Sequence, residues 1–312
     1  MLEQVRALLE ELKGQGLPKL SDMPPQMGRE AFNALVKMLD APAIALPRTE
    51  DIALASPAGP IPARLVDPAP QEGEATHLML YFHGGGFVLG NIETHHPMVS
   101  KLSAATGLPI LSIDYRLAPE HPFPAALEDC LAATRWAAAQ GAALLGRPVK
   151  GLVVAGDSAG ANLAAVVAQE TRGEPAVRLA LQVLLYPVTD MLGDYPSRRA
   201  YGHGHLLEAE DMAFFANAYM PDPALAEDTR LSPIKAEDLS GLPPALVVTA
   251  EYDPLHDEGV AYARALAAAG LEVRQRDEAG LIHGFYNLRG AMPEADKRLL
   301  ALAHDITAML KG

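Results

Sequence analysis

The segment Gly156-Asp157-Ser158-Ala159-Gly160 constrains this chain more than any other. It follows the apolar run Gly151-Leu152-Val153-Val154-Ala155 and precedes Ala161-Asn162-Leu163-Ala164-Ala165-Val166-Val167, so it reads as strand, sharp turn, helix. A G-x-S-x-G in that context holds its serine in a strained turn, the hydroxyl clear of the sheet edge and faced by backbone N–H groups at the start of the helix. A serine so placed can attack a carbonyl. Small residues also suit a plain strand-to-helix turn, so the pentapeptide needs agreement from elsewhere in the chain.

Three segments agree with it. His83-Gly84-Gly85-Gly86-Phe87 follows the apolar Leu78-Met79-Leu80-Tyr81-Phe82. Lacking Cβ atoms, consecutive glycines can turn their N–H groups toward one point and cradle a developing oxyanion. A phosphate-binding reading falls behind on the residues. Leu89 stands where G-x-G-x-x-G needs glycine, and Asn91-Ile92 stands where a P-loop needs Lys and Ser or Thr. Asp253 follows the strand-like Ala245-Leu246-Val247-Val248-Thr249-Ala250 near its carboxyl end, where open α/β sheets hold functional groups. His283 reads as a loop residue after a strand over 271–276. Taken singly, such an aspartate and histidine are ordinary solvated side chains. In the order nucleophile, acid, histidine they follow the sequence of α/β-hydrolases and differ from the two familiar serine protease folds.

The spacing predicts strands near 78–82, 109–114, 151–155, 179–185, 245–250 and 271–276, alternating with helices near 95–106, 124–140, 159–172, 257–269 and 294–310. That alternation specifies an α/β protein, a mostly parallel central sheet flanked by helices. Ile52 to Val66, broken by Pro57, Gly59 and Pro60, predicts an antiparallel hairpin leading into the sheet. Residues 1 to about 45 read as two amphipathic helices joined by Gly16-Leu17-Pro18 and the Pro24-Pro25 turn region, and 206–219 reads as a third.

With these motifs in place the chain resembles the bacterial hormone-sensitive-lipase-like (family IV) carboxylesterases of the α/β-hydrolase fold. The resemblance also rests on Asp114-Tyr115-Arg116-Leu117-Ala118-Pro119-Glu120-His121-Pro122-Phe123-Pro124, on Leu239-Ser240-Gly241-Leu242-Pro243-Pro244 and on Asp253-Pro254-Leu255-His256-Asp257-Glu258-Gly259. It implies one domain over 1–312 with a helical cap from about 1–45 and about 188–228. It implies Ser158 as nucleophile, His283 as base and then acid, and Asp253 as the carboxylate orienting the imidazole. Gly84, Gly85, Gly86 and Ala159 would build the oxyanion hole. Phe87, Leu206, Phe214 and Phe215 would line a substrate pocket whose close roof favours short- to medium-chain acyl esters. The same triad could serve an amidase, deacetylase or acyltransferase. Non-catalytic ligand-binding members of the fold lack the catalytic histidine, which is present here. A homodimer through an exposed sheet edge and the C-terminal helix is implied as well. Two positions depart from the family pattern. His256 stands where Arg is usual, weakening a salt bridge behind the aspartate or making it pH-dependent, and Ala279-Gly280 replaces an acidic pair before the histidine.

Composition excludes other classes. A formal charge of -14, from 39 acidic against 25 Lys and Arg residues, repels phosphate backbones and argues against nucleic-acid binding. The single Cys130 cannot form an internal disulfide and reads as a small core residue. No apolar run reaches the length of a membrane span, and the N-terminal apolar pattern is interrupted by acidic residues, which together predict a soluble cytoplasmic protein. His203-Gly204-His205 lacks a recognisable metal-ligand spacing, and His95-His96 reads as a surface feature at a helix start. The expected chemistry requires neither metal nor cofactor.

Overall fold

The computed structural model describes residues 1–16, 22–69 and 74–311. Its eight strands form one sheet in the order β1-β2-β4-β3-β5-β6-β7-β8. The hairpin of β1 (Arg48–Leu54) and β2 (Ile61–Asp67) is antiparallel, and β2 joins β4 (Ile110–Ile113) in the same sense. From β4 onward the neighbours β3 (Thr76–Phe82), β5 (Val149–Asp157), β6 (Leu179–Leu185), β7 (Ala245–Tyr252) and β8 (Val273–Ile282) run parallel.

Side chains alternate across a strand, so a sheet covered on both faces needs unbroken apolar runs. Leu78, Leu80 and Phe82 of β3 and Leu152 and Val154 of β5 enter one core, with α4 (Ala125–Leu145), α5 (Ala159–Glu170) and α8 (His256–Ala268). Met79, Tyr81, Val153 and Ala155 enter the other, with α3 (Ile92–Thr106) and α9 (Pro293–Met309). Cys130 lies fully buried in the first core. After β3 the chain passes to β4 on one side and returns to β5 on the other. The reversal opens a crevice beyond the carboxyl ends of β3 and β5, the position at which open α/β sheets receive ligands. His83 and Ser158 are the first residues past those two ends.

The remaining helices are α1 (Glu3–Gln15), α2 (Pro25–Leu39), α6 (Pro196–Tyr201) and α7 (Ala209–Tyr219). The expected Leu17-Pro18 turn between α1 and α2 lies outside the described residues. Two expectations need correction. β8 does not stop near 276 but continues to Ile282, with a register irregularity opposite β7, so His283 directly follows a strand. The charged run Arg274-Gln275-Arg276-Asp277-Glu278 hid this, because β8 is an edge strand with a half-exposed face. His95, expected at the surface, is 1% exposed. Asn91 caps α3 by accepting from Thr94 N, which starts the helix at Ile92 and turns His95 inward. Among the described residues no helix is long and apolar enough to cross a membrane.

Candidate active site

Ser158 joins β5 to α5 with φ 55° and ψ -117°, a conformation that a residue with a side chain adopts only when its surroundings impose it. Both flanking glycines are required by close approach. A Cβ at Gly156 would overlap the backbone of Gly160, and one at Gly160 would overlap the carbonyl of Phe82. Ser158 N donates to Leu185 O at 2.8 Å, and Ser158 O accepts from Asn162 N at 3.1 Å. The turn is thus pinned to β6 and to α5.

Three side chains far apart in sequence meet there. Ser158 Oγ lies 2.9 Å from His283 Nε2, and His283 Nδ1 lies 2.7 Å from Asp253 Oδ2. Asp253 is fully buried, and its other oxygen accepts from Leu255 N at 2.7 Å. A carboxylate held in this way fixes the imidazole as the Nδ1–H tautomer and leaves Nε2 free to accept a proton from serine. The Tyr186 ring packs edge-on against His283 with centroids 4.8 Å apart, which restricts rotation of the imidazole.

Beside Ser158 the glycine loop is held by buried polar groups. Gly84 N donates to Asp157 Oδ1 at 2.9 Å and faces His95 Nε2 at 3.3 Å, while Tyr81 Oη donates to Asp157 Oδ1 at 2.8 Å. Burial would raise the Asp157 pKa, but His95 and Tyr81 hold it below the usual carboxylate range, so the carboxylate is ionised. Burial, with His95 adjacent, pushes His83 down to about 3, and this neutral ring stacks on Tyr115 at 4.3 Å. Gly85, Gly86 and Phe87 all have positive φ, at 120°, 61° and 63°. Among the described residues, neither Gly85 N, Gly86 N nor Ala159 N donates to a protein acceptor. The arrangement can therefore remove a proton from a serine hydroxyl and receive a negative oxygen on unpaired amides. Sequence reasoning had not assigned parts to Asp157, His95 and Tyr81. The only available signal was a histidine pair shortly after the glycine loop.

A model of the α/β-hydrolase fold matches residues 79–287. The carboxylic ester hydrolase LipN of Mycobacterium tuberculosis is 43% identical over 265 residues, 83% of this chain and 70% of that protein. The ethyl acetate hydrolase of Pseudomonas putida is 40% identical over 243 residues, 77% of this chain and 76% of that one. Among solved structures, the ester-hydrolase EH1AB1 from the metagenome of Lake Arreo, complexed with a bipyridine phosphonate derivative, superposes with a TM-score of 0.95. It has 38% identity and full coverage of both chains. This chain belongs to the α/β-hydrolase family.

In this hydrolase Ser158, His283 and Gly84 to Phe87 open into a cavity of about 1530 Å³, walled chiefly by α1, α2 and α7. Of the expected pocket residues, Leu206 and Phe215 line it, and Phe215 fills the space that a Cβ at Gly86 would occupy. Phe87 borders it but is 2% exposed, its ring stacked on Tyr219 at 3.8 Å. Phe214 is a correction: it is not among the lining residues and packs on the core, because adjacent residues of a helix point about 100° apart. His256 does not bond Asp253 through its ring. Its Nδ1 lies 2.8 Å from Asp257 and its Nε2 3.2 Å from Asp277. Burial would lower its pKa, but the two carboxylates hold it above the ordinary value. Glu251, rather than an acidic pair before His283, holds this end of β8, its Oε2 accepting from Gly280 N at 2.7 Å. His203 has Glu208 and Glu210 near it, with potential ligand atoms within 4.8 Å of one another, carboxylates that spacing alone did not connect to it. This group is largely solvent-exposed, and Glu208 also accepts from Gly204 N at 2.8 Å at the start of α7.

Proposed function

We propose that this hydrolase is a serine carboxylesterase in which Ser158 attacks the ester carbonyl, His283 accepts its proton, and Asp253 stabilises the resulting imidazolium. The single observation that carries the reading is the continuous contact from Ser158 Oγ through His283 to the buried Asp253 carboxylate. Attack would put a negative charge on the carbonyl oxygen, within reach of the unpaired N–H groups of Gly85, Gly86 and Ala159. Each such donor lowers the barrier by about 3 kcal/mol in comparable enzymes. His283 then passes its proton to the departing alcohol, and water repeats the cycle on the acyl-enzyme. The names of the relatives support ester hydrolysis over amide hydrolysis or acyl transfer, and the presence of His283 argues against a pure ligand binder.

In this reading α1, α2 and the 188–228 segment form a cap over the nucleophile. The substrate is a small-molecule ester with a short- to medium-chain acyl group, although about 1530 Å³ leaves room for more than a butyryl chain. The exposed edge of β8 supports dimerisation, which sedimentation would test. The decisive experiment is reaction with a fluorophosphonate and location of the adduct by mass spectrometry. Labelling of Ser158, with turnover of 4-nitrophenyl butyrate, is expected; labelling elsewhere overturns the assignment.

A further inference from the structure

The glycine loop is secured at both ends, and at one of them the anchoring side chain lies outside every sequence motif. At Gly84 the anchor is Asp157. At the far end the partner comes from α2, more than fifty positions away in sequence: Arg29 Nε donates to Val88 O at 2.8 Å and Arg29 Nη2 to Ala118 O at 2.9 Å. Glu120 accepts from the same guanidinium at 2.9 and 2.6 Å, holding its plane in place. The loop closes on itself through Gly85 O, which accepts from Val88 N and Leu89 N, while Phe87 O accepts from Ala118 N. Arg29 therefore ties the Val88 end of the turn to the Ala118 segment, whose N–H also bonds Phe87 O.

Such a turn needs this restraint. Three successive residues with positive φ, one of them Phe87, make a conformation that relaxes unless its surroundings over-determine it. On the esterase reading, rotation of either peptide would turn the Gly85 or Gly86 N–H out of the oxyanion hole. We propose that Arg29 is a positioning residue for the oxyanion hole, holding the Val88 end of the glycine loop from α2 so that the Gly85 and Gly86 amides keep their aim. The inference rests on the esterase reading and extends it: α2 both lines the cavity, through Met27, Phe32 and Leu35, and sets the geometry of the reacting centre. A planar guanidinium reaches two carbonyls and a carboxylate at once. A lysine ammonium, a point charge on a flexible stem, does not reproduce that fork.

The test compares wild type with Arg29→Gln, Arg29→Lys and Glu120→Gln, using 4-nitrophenyl acetate and a trifluoromethyl ketone that adds to serine as a hemiketal oxyanion. Wild-type turnover reports on the esterase reading, and the ratios between variants report on Arg29. For Arg29→Gln, kcat is expected to fall about 10- to 100-fold, a fraction of what losing a donor outright costs, with KM within about twofold. Affinity for the ketone should weaken by the same factor. Arg29→Lys, which retains the charge beside Glu120 and protects the fold, should lie between. Glu120→Gln, which leaves both carbonyl bonds in place, should stay within about threefold, as expected for an exposed ion pair. A lower melting temperature with kcat and ketone affinity unchanged, in either Arg29 variant, would reduce Arg29 to a staple for α2 and overturn the proposal.

Discussion

The ends of β5, β7 and β8 and the wall that faces them obey opposite rules. At the strand ends the polar groups are buried and mutually bonded: Asp253 is 0% exposed and Asp157 3%, and Ser158 is held in a strained conformation between two glycines, Gly156 and Gly160, that have no space for a Cβ of their own. The facing wall is apolar and loosely committed. Met23, Met27, Met38 and Met212 contribute to it, and Met27 and Met38 are each 56% exposed. Unbranched thioethers adapt to the shape of what they contact, whereas a hydrogen-bonded carboxylate does not. On the proposed reading the contrast divides the labour: geometry would be fixed where charge develops, and shape would stay adaptable where the substrate's apolar part rests.

If that division holds, changes at the strand ends should abolish turnover and changes in the wall should redirect it. Ser158→Ala is expected to lower kcat by about 10⁴- to 10⁶-fold, and Asp253→Asn by about 10⁴-fold, with KM little altered, in steady-state assays on 4-nitrophenyl butyrate. Asp157→Asn, which removes the charge that pins Gly84, should reduce kcat by about 10- to 100-fold, less than direct loss of an oxyanion donor. Preserved activity there would mean that the loop needs no buried anchor and would blur the contrast. Phe215→Ala should instead change the acyl-chain preference, shifting the ratio of kcat/KM for hexanoate over acetate by about tenfold, the discrimination available to a few methylene groups. An equal fall for every chain length would place Phe215 with the machinery rather than the wall.

The smallest expected effect concerns His256. Its raised pKa means that its pairs with Asp257 and Asp277 contribute stability fully below the unfolded value of about 6.5, and lose it as pH rises through the folded pKa. Arg stays charged, so the melting temperature of His256→Arg should gain on wild type between about pH 6 and pH 9. A constant difference across that range would show that the pair carries no pH-dependent stability.

Much of the fold was legible because strands buried on both faces leave continuous apolar runs such as 78–82 and 245–250. The edge strand β8 was read short, since a half-exposed strand with alternating charges resembles a loop until its pairing with β7 is known. The four motif segments identified Ser158, Asp253, His283 and the glycine loop as candidates. His95 and Arg29 left no comparable trace. One is turned inward by a cap residue four positions earlier, and the other matters only through the carbonyls it reaches across the fold.

By itself, the sequence determined a strand-turn-helix elbow around Ser158, an α/β layering and an acidic net charge, because local pattern, residue size and composition need no knowledge of distant partners. Only the tertiary structure decided that three side chains from separate strand ends stand within hydrogen-bond reach, and that α2 grips the glycine loop. Those contacts join residues 30 to 125 positions apart, and no local rule specifies which of them will meet.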